Sequence, residues 1–266
     1  MFHAFGSEIT ILDGGDRFLP REDRDIAEEM LRVLNSKGIK VLQGVKIEAF
    51  RDNTADTSVI TSQGEFTADA VLVGVGRVPN TQGLGLANAG IETDPSGFIL
   101  VDDHLRVQGK NHIWAMGDVA GSPMFTYISL DDYRIVREQL FGDGKRNRAD
   151  RTPFPTATFT EPPLAHIGLT ETAAQQSGRE VKVLKLKADA IPKAKILNQT
   201  DGLLKAVVDA HSGEILGVTL FCAEAHEIIN LFKMAIDFRV PARYVKNQIF
   251  THPTIAEGLN DLFAGC

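Results

Sequence analysis

Residues 70–75, Ala-Val-Leu-Val-Gly-Val, form a near-continuous apolar run. A short run of this kind, dominated by β-branched valine, fits a strand buried on both faces, as in a parallel sheet covered by helices. The residues before it agree. Ser7–Leu12 reads as a short strand, and Met1–Phe5 as the last turn of a helix with Gly6 closing it. From Pro20 a helix is expected, with Ile26, Met30, Leu31, Val33 and Leu34 on its apolar face and Gly38 at its end. Residues 39–42 are the next strand. Residues 46–50, 57–61 and 64–67 read as an antiparallel excursion before the 70–75 strand. Strand, helix and strand in alternation is an α/β pattern.

A second block covers residues 81–144. Strands are expected at 99–101 and 111–116, the latter running into Gly117-Asp118, and a helix at 125–141 after Pro123. The polar stretch 145–150, Lys-Arg-Asn-Arg-Ala-Asp, reads as a linker. From about residue 151 the pattern changes to short strands followed by turns, at 157–160, 164–169, 181–187, 203–208 and 215–221. His211-Ser212-Gly213 is a hairpin signal between the last two. A helix at 225–238 follows, with Ile228, Leu231, Phe232 and Ala235 on one face, then short helices after Pro241 and Pro253. The fold class is α/β followed by α+β with an antiparallel sheet.

A net charge of −7 speaks against a nucleic-acid groove. No apolar run reaches the length of a membrane span, so neither nucleic acid nor membrane is an expected partner, and a cytoplasmic location is the default. The cysteines, Cys222 and Cys266, make neither a disulfide framework nor a CxxC pair.

Four places carry residues suited to chemistry. Asp13 ends a strand, where an acid can bind a ribose hydroxyl or merely start a turn before two glycines. Gly76-Arg77-Val78-Pro79-Asn80 leaves the C-terminal end of the 70–75 strand, where α/β sheets bind ligands or simply turn. Gly117-Asp118 has the same placement. Asp118 can accept hydrogen bonds from a polyol or cap a helix, and the helix after Pro123 carries partial positive charge at its start. Last, His252-Pro253-Thr254-Ile255-Ala256-Glu257 places a histidine before a proline-started helix and a carboxylate about a turn and a half on. A His–carboxylate contact there would raise the basicity of the free ring nitrogen. The other reading is a capped helix start with a surface acid.

The order of these elements resembles the pyridine nucleotide-disulfide oxidoreductases, the group of dihydrolipoamide dehydrogenase, glutathione reductase and mercuric reductase. The resemblance covers the whole chain. Residues 20–26, 113–119 and 125–137 look most like a subgroup of bacterial reactive-chlorine-resistance flavoproteins, linked to reduction of copper(II). It implies partial Rossmann-like nucleotide-binding domains followed by an α+β dimerisation domain: residues 1–80 for NAD(P), 81–148 for the C-terminal part of the FAD domain, and 151–266 for the interface. It implies FAD and NAD(P)H as cofactors, a homodimer, and a small-molecule disulfide or metal-ion acceptor. Asp118, with Gly117, would hold the FAD ribityl chain. The helix from Phe125 and Thr126 would meet the flavin pyrimidine edge. Gly76 and Arg77 fall among the cofactor-binding residues. Asp13 would favour NADH, with Arg17 leaving NADPH open. His252 and Glu257 would handle protons at redox thiols of the other subunit. No resident metal site is expected.

The departures are specific. The family's CxxxxC and both glycine-rich loops have no counterpart here, so the chain is expected to be an N-terminally truncated portion, inactive alone. The alternative is a non-catalytic dimerisation module. Mercuric reductases carry tyrosine at the place of His252 and a vicinal cysteine pair near the C-terminus, where this chain has only Cys266.

Overall fold

The computed structural model describes residues 1–266. They divide into one unit made of Met1–Val71 with Pro153–Cys266 and a second made of Leu72–Thr152. The fold is mixed α/β, as expected, with a five-stranded and a three-stranded antiparallel sheet and a parallel strand pair.

In the first unit, β1 (Thr10–Leu12) and β2 (Lys40–Leu42) pair in parallel, Ile11 opposite Val41. Helix α1 (Arg24–Ser36) connects them and buries Ile26, Ala27, Met30 and Val33. This face meets Leu164, Leu203 and Phe221 of the later sheet. Strands β3 (Ile47–Asn53), β4 (Asp56–Thr61) and β5 (Gly64–Ala68) form the antiparallel excursion. The 70–75 run, however, is not a strand. Leu72 and Val75 are each 84% exposed. Backbone N–H and C=O groups settle in a sheet only beside a paired neighbour, and the parallel sheet consists of β1 and β2 alone.

The same unit holds the five-stranded sheet, built from β6 (Thr156–Thr158), β7 (Leu164–Gly168), β8 (Val181–Lys187), β9 (Leu203–Asp209) and β10 (Ile215–Phe221), in the order β6-β7-β10-β9-β8. Two short helices that sequence reading missed, α3 (Glu171–Gln176) and α4 (Pro192–Ile196), flank β8 in the chain. In the second unit, α2 (Thr126–Phe141) is the main helix. Helix α5 (Ala225–Asp237) then packs on the sheet through Ala225, Ile228, Ile229, Phe232 and Ala235. Ile229 takes the place expected of Leu231, which stays on the exposed flank of that stripe. Helices α6 (Ala242–Asn247) and α7 (Gly258–Leu262) complete the core, where Phe232 stacks on Phe263 at 5.9 Å.

A buried ionic cluster joins the two ends of this unit. Lys205 on β9, only 1% exposed, reaches Asp23 at 3.0 Å, Asp25 at 2.9 Å and Glu171 at 2.6 Å. Asp23 also accepts the backbone N–H groups of Glu171 and Thr172, capping α3. Burial pushes the Asp23 carboxyl upward, but these N–H groups and the Lys205 ammonium outweigh it and hold it below the ordinary range. Its neighbour Glu22 behaves in the opposite way. Burial raises its carboxyl above 4.5, His166 opposes, and Asp23 adds to the rise. Its Oε2 has no hydrogen-bond partner. The fold thus disfavours ionised Glu22, a penalty absent well below pH 4.5 and growing as pH rises through the raised value. Glu22→Gln should therefore raise the melting temperature by about 2 °C at neutral pH and change it little in acid. Thermal scans at both pH values check this, and a loss of stability at neutral pH counts against it.

The second unit has its own core of Ile99, Leu105, Val107, Ala115, Ala120 and Ile135. The strands expected at 99–101 and 111–116 are reduced to isolated bridges, Thr93 with Ile99, Val101 with Val107 and Arg106 with Trp114. Asp94 and Asp102 account for this. Each carboxylate accepts two nearby backbone N–H groups and closes a turn where a ladder would otherwise run. The 145–150 stretch is no free linker. Asn147 and Asp150 form a capping box over a 3-10 turn at Arg148–Arg151. Arg146 and Arg151 turn back onto α2, where Asp131 and Asp132 are buried and require cations.

Candidate functional site

His252 and Glu257 are brought together. Nδ1 of His252 lies 2.7 Å from Glu257 Oε2. The carboxylate can only accept, so Nδ1 carries the hydrogen and the neutral ring keeps its lone pair on Nε2. The histidine side chain is 70% exposed, while Glu257 is 18% exposed. A mostly buried acid thus orients an accessible base. The local cause differs from the expected proline-started helix. Thr254 Oγ1 accepts the Glu257 N–H at 3.2 Å, and Glu257 Oε1 accepts the Thr254 N–H at 3.4 Å. This reciprocal pair is a capping box with Thr254 at the helix entry, which moves the start past Pro253, and α7 runs from Gly258. A Cβ at Gly258 would lie 2.7 Å from the Ile191 side chain, so glycine lets this end approach the core. Asn260 donates to the carbonyls of Val245, Lys246 and Gln248, fixing α7 to the end of α6.

In the second unit, Gly117 has φ 74 and ψ −153, and a Cβ there would sit 3.0 Å from Ser129 Oγ on α2. Only glycine suits this place. Gly117 donates its N–H to the buried Asp132 at 2.8 Å. Asp118 follows as the first residue of a short 3-10 turn and is exposed. Phe125, extended, precedes α2, and its carbonyl accepts from Ile128 and Ser129. Its ring stacks on Tyr127 at 5.1 Å. Thr126 opens the helix and is exposed. Arg77 donates to the Met124 carbonyl at 3.1 Å, which sets the exposed Gly76-Arg77 turn beside the start of α2. An exposed carboxylate and the positive end of a sixteen-residue helix suit a polyol and an electron-rich group.

Asp13 stands at the end of β1. Its backbone bonds Leu42 and Val45, and its Oδ1 accepts the Gly15 N–H at 2.9 Å. Its visible contacts are those of a turn former. Neither cysteine is poised as a nucleophile. Burial, then Glu224, pushes the Cys222 thiol up to about 12. Burial raises Cys266 as well, against the opposing Lys182 and Lys246. No group of three or more His, Cys, Asp or Glu is arranged to hold a metal ion. No helix is long and apolar enough to cross a membrane.

Sequence reading missed Asp131, Asp132, Arg146 and Arg151. Their signal lies in α2. The buried stripe 128, 131, 132 and 135 has helical spacing yet carries two acids between isoleucines.

Residues 1–132 match the family described as pyridine nucleotide-disulphide oxidoreductase, and residues 154–263 match its dimerisation domain. The chain is 44% identical over 264 residues to the probable pyridine nucleotide-disulfide oxidoreductase RclA of Escherichia coli, covering 99% of this chain and 60% of that protein. It is 33% identical to mercuric reductase of Staphylococcus aureus, covering 97% of this chain and 48% of that one. Among solved structures, the Cu(II) complex of the HOCl-induced flavoprotein disulfide reductase RclA from Escherichia coli superposes with a TM-score of 0.96. That match has 43% identity and covers 99% of this chain and 59% of that one. The chain thus spans roughly half to three fifths of the length of these relatives.

Proposed function

The chain belongs to the pyridine nucleotide-disulphide oxidoreductase family, and from that membership we propose that it is the C-terminal portion of an FAD-dependent NAD(P)H oxidoreductase acting on a disulfide or a metal ion, with copper the favoured ion. The observation that carries this reading is the His252–Glu257 pair at 2.7 Å, inside the part that matches the dimerisation domain. The Cu(II) complex of RclA supports the metal-ion branch.

The roles follow from what each residue can do. His252 takes and returns a proton through its accessible Nε2, and Glu257 fixes the ring and stabilises its charged form. In a homodimer this pair would serve thiols of the other subunit. Residues 1–80 would contribute to the NAD(P) site, 81–148 to the FAD site and 151–266 to the interface. The residues of the second unit fit FAD: an exposed Asp118 after a glycine that lets the backbone run close to α2, and the α2 start at Phe125 and Thr126, with the Gly76-Arg77 turn beside it. Asp118 would accept hydrogen bonds from the ribityl hydroxyls. Bound there, FAD supplies the passage of hydride equivalents from NAD(P)H to a redox disulfide. Asp13 would favour NADH by repelling a 2′-phosphate, with Arg17 open to NADPH. A cytoplasmic location is part of the same proposal.

The second reading, a non-catalytic dimerisation module, draws on the exposed Leu72 and Val75 and on the partial span of the relatives. Flavin separates the two. In the FAD-loaded holoprotein, Asp118→Ala should weaken FAD retention about tenfold, the worth of one charge-assisted hydrogen bond. Ultrafiltration with flavin fluorescence measures it. Unchanged retention removes Asp118 from the site, and absence of any FAD-binding form favours the module.

A further inference from the structure

We propose that Asp132, backed by Arg151, is a positioning pair that sets the Gly117-Asp118 turn for a flavin polyol; this rests on the reading of Asp118 given above. Asp132 is wholly buried, 0% exposed, on the face of α2 that also holds Ile128, Ile135 and the second acid, Asp131. An aliphatic side chain would satisfy that face. A buried carboxylate is costly unless both its oxygens are paired, and here they are. Oδ2 accepts the Gly117 N–H at 2.8 Å, and Oδ1 accepts from Arg151 Nη2 at 2.6 Å. Arg151 is itself buried, faces Asp131 at 3.2 Å, and comes from the 3-10 turn capped by Asn147.

The acid therefore reaches fifteen residues back along the chain to hold one amide. That amide belongs to the glycine with φ 74 and ψ −153, wedged against Ser129, immediately before the exposed Asp118. With its N–H committed to Asp132, Gly117 is fixed in a conformation other residues avoid, and the carboxylate of Asp118 starts from a set point on the surface. Arg151 neutralises Asp132, so the buried acid adds little repulsion beside Asp118. The pair touches no ligand itself. It acts through the turn, as supporting hydrogen bonds do for binding groups elsewhere.

The test compares variants of the FAD-loaded holoprotein. Asp132→Ala should raise the FAD dissociation constant about tenfold and speed hydrogen exchange in the peptide containing Gly117. The paired change Asp132→Asn with Arg151→Gln keeps the essential contact. Asn accepts from Gly117 and donates to the Gln carbonyl oxygen, so both affinity and slow exchange should return. Should Asp132→Ala fail to fold, Asp132→Asn alone, which forfeits one of its two contacts, carries the same comparison with the paired variant. If Asp132→Ala and the paired variant lose thermal stability alike with no difference in FAD affinity, the role is merely structural and the proposal falls. If Asp132→Ala keeps FAD while Asp118→Ala loses it, the positioning role falls and the Asp118 reading stands. If Asp118→Ala keeps FAD, both fall.

Discussion

Alanine at His252 is expected to lower turnover of a disulfide acceptor by about 10²–10⁴-fold, the usual range for loss of a positioned acid–base group. NADH should still bleach the flavin at the parental rate, because that step needs no proton from this ring. The basis is geometric. Nδ1 is engaged by Glu257 at 2.7 Å, which leaves Nε2 of an exposed ring as the working atom. Glu257→Gln should cost less, about tenfold, since an amide can still orient the ring but stabilises its charged form poorly. Steady-state turnover and stopped-flow flavin reduction separate the two steps. The proposed homodimer adds a sharper outcome. Mixing a His252→Ala protein with one lacking the redox cysteines should restore activity, because mixed dimers would contain one intact site. If mixed dimers form and remain inactive, His252 does not act across an interface.

The second large effect is on stability. Lys205→Met should destabilise the first unit by about 3–5 kcal/mol, the cost of stranding buried charges by removing their partner. Lys205 is 2% exposed at its side chain and the only cation that reaches Asp23, Asp25 and Glu171 together. The pH dependence gives the effect its signature. Asp23 and Asp25 are held below their ordinary 3.8, against burial, by hydrogen bonds and nearby ammonium groups. Their stabilising contribution is full above 3.8 and disappears as pH falls through the lowered values. Lys205 is raised above 10.5, because its bonds to Glu171, Asp25 and Asp23 outweigh burial. Its contribution lasts through neutral pH and disappears only as pH rises through that raised value. The gap between parent and variant should therefore be wide at pH 7 and narrow toward pH 3. Urea unfolding at both pH values measures it, and a gap under about 1 kcal/mol at pH 7 contradicts the cluster's role.

Much of the fold was legible because it depends on local pattern. Strands β8 and β10 have the expected bounds, and β9 gains one residue. Each is a short run closed by turn residues, and the pairing of β9 with β10 follows from the hairpin at His211-Ser212-Gly213. The 70–75 run misled because strand identity belongs to a pair, and the run carries no information about whether its partner is at hand. The His252–Glu257 contact was visible as a spacing, and the later helix start was set by the Thr254-x-x-Glu257 capping box, a spacing that a reading from Pro253 passes over. Asp132 and Lys205 escaped for a plainer reason. Their partners lie fifteen to 180 residues away, beyond any periodicity; the acids within the apolar stripe of α2 hinted at the first of the two only.

The long reach of Lys205 also constrains how the chain is made. Asp23 caps a helix 148 residues downstream, and Asp25 meets Lys205 across 180. The apolar face of α1 likewise waits for Leu164, Leu203 and Phe221. At ordinary translation speeds those partners leave the ribosome roughly ten to thirty seconds after α1 does. Residues 72–152, which carry their own core, emerge in the meantime. Through that interval Asp23 and Asp25 stand without Lys205 beside Ile26, Met30 and Val33. The acids that later bind the finished unit together first serve as the solubilising charges of an unfinished one.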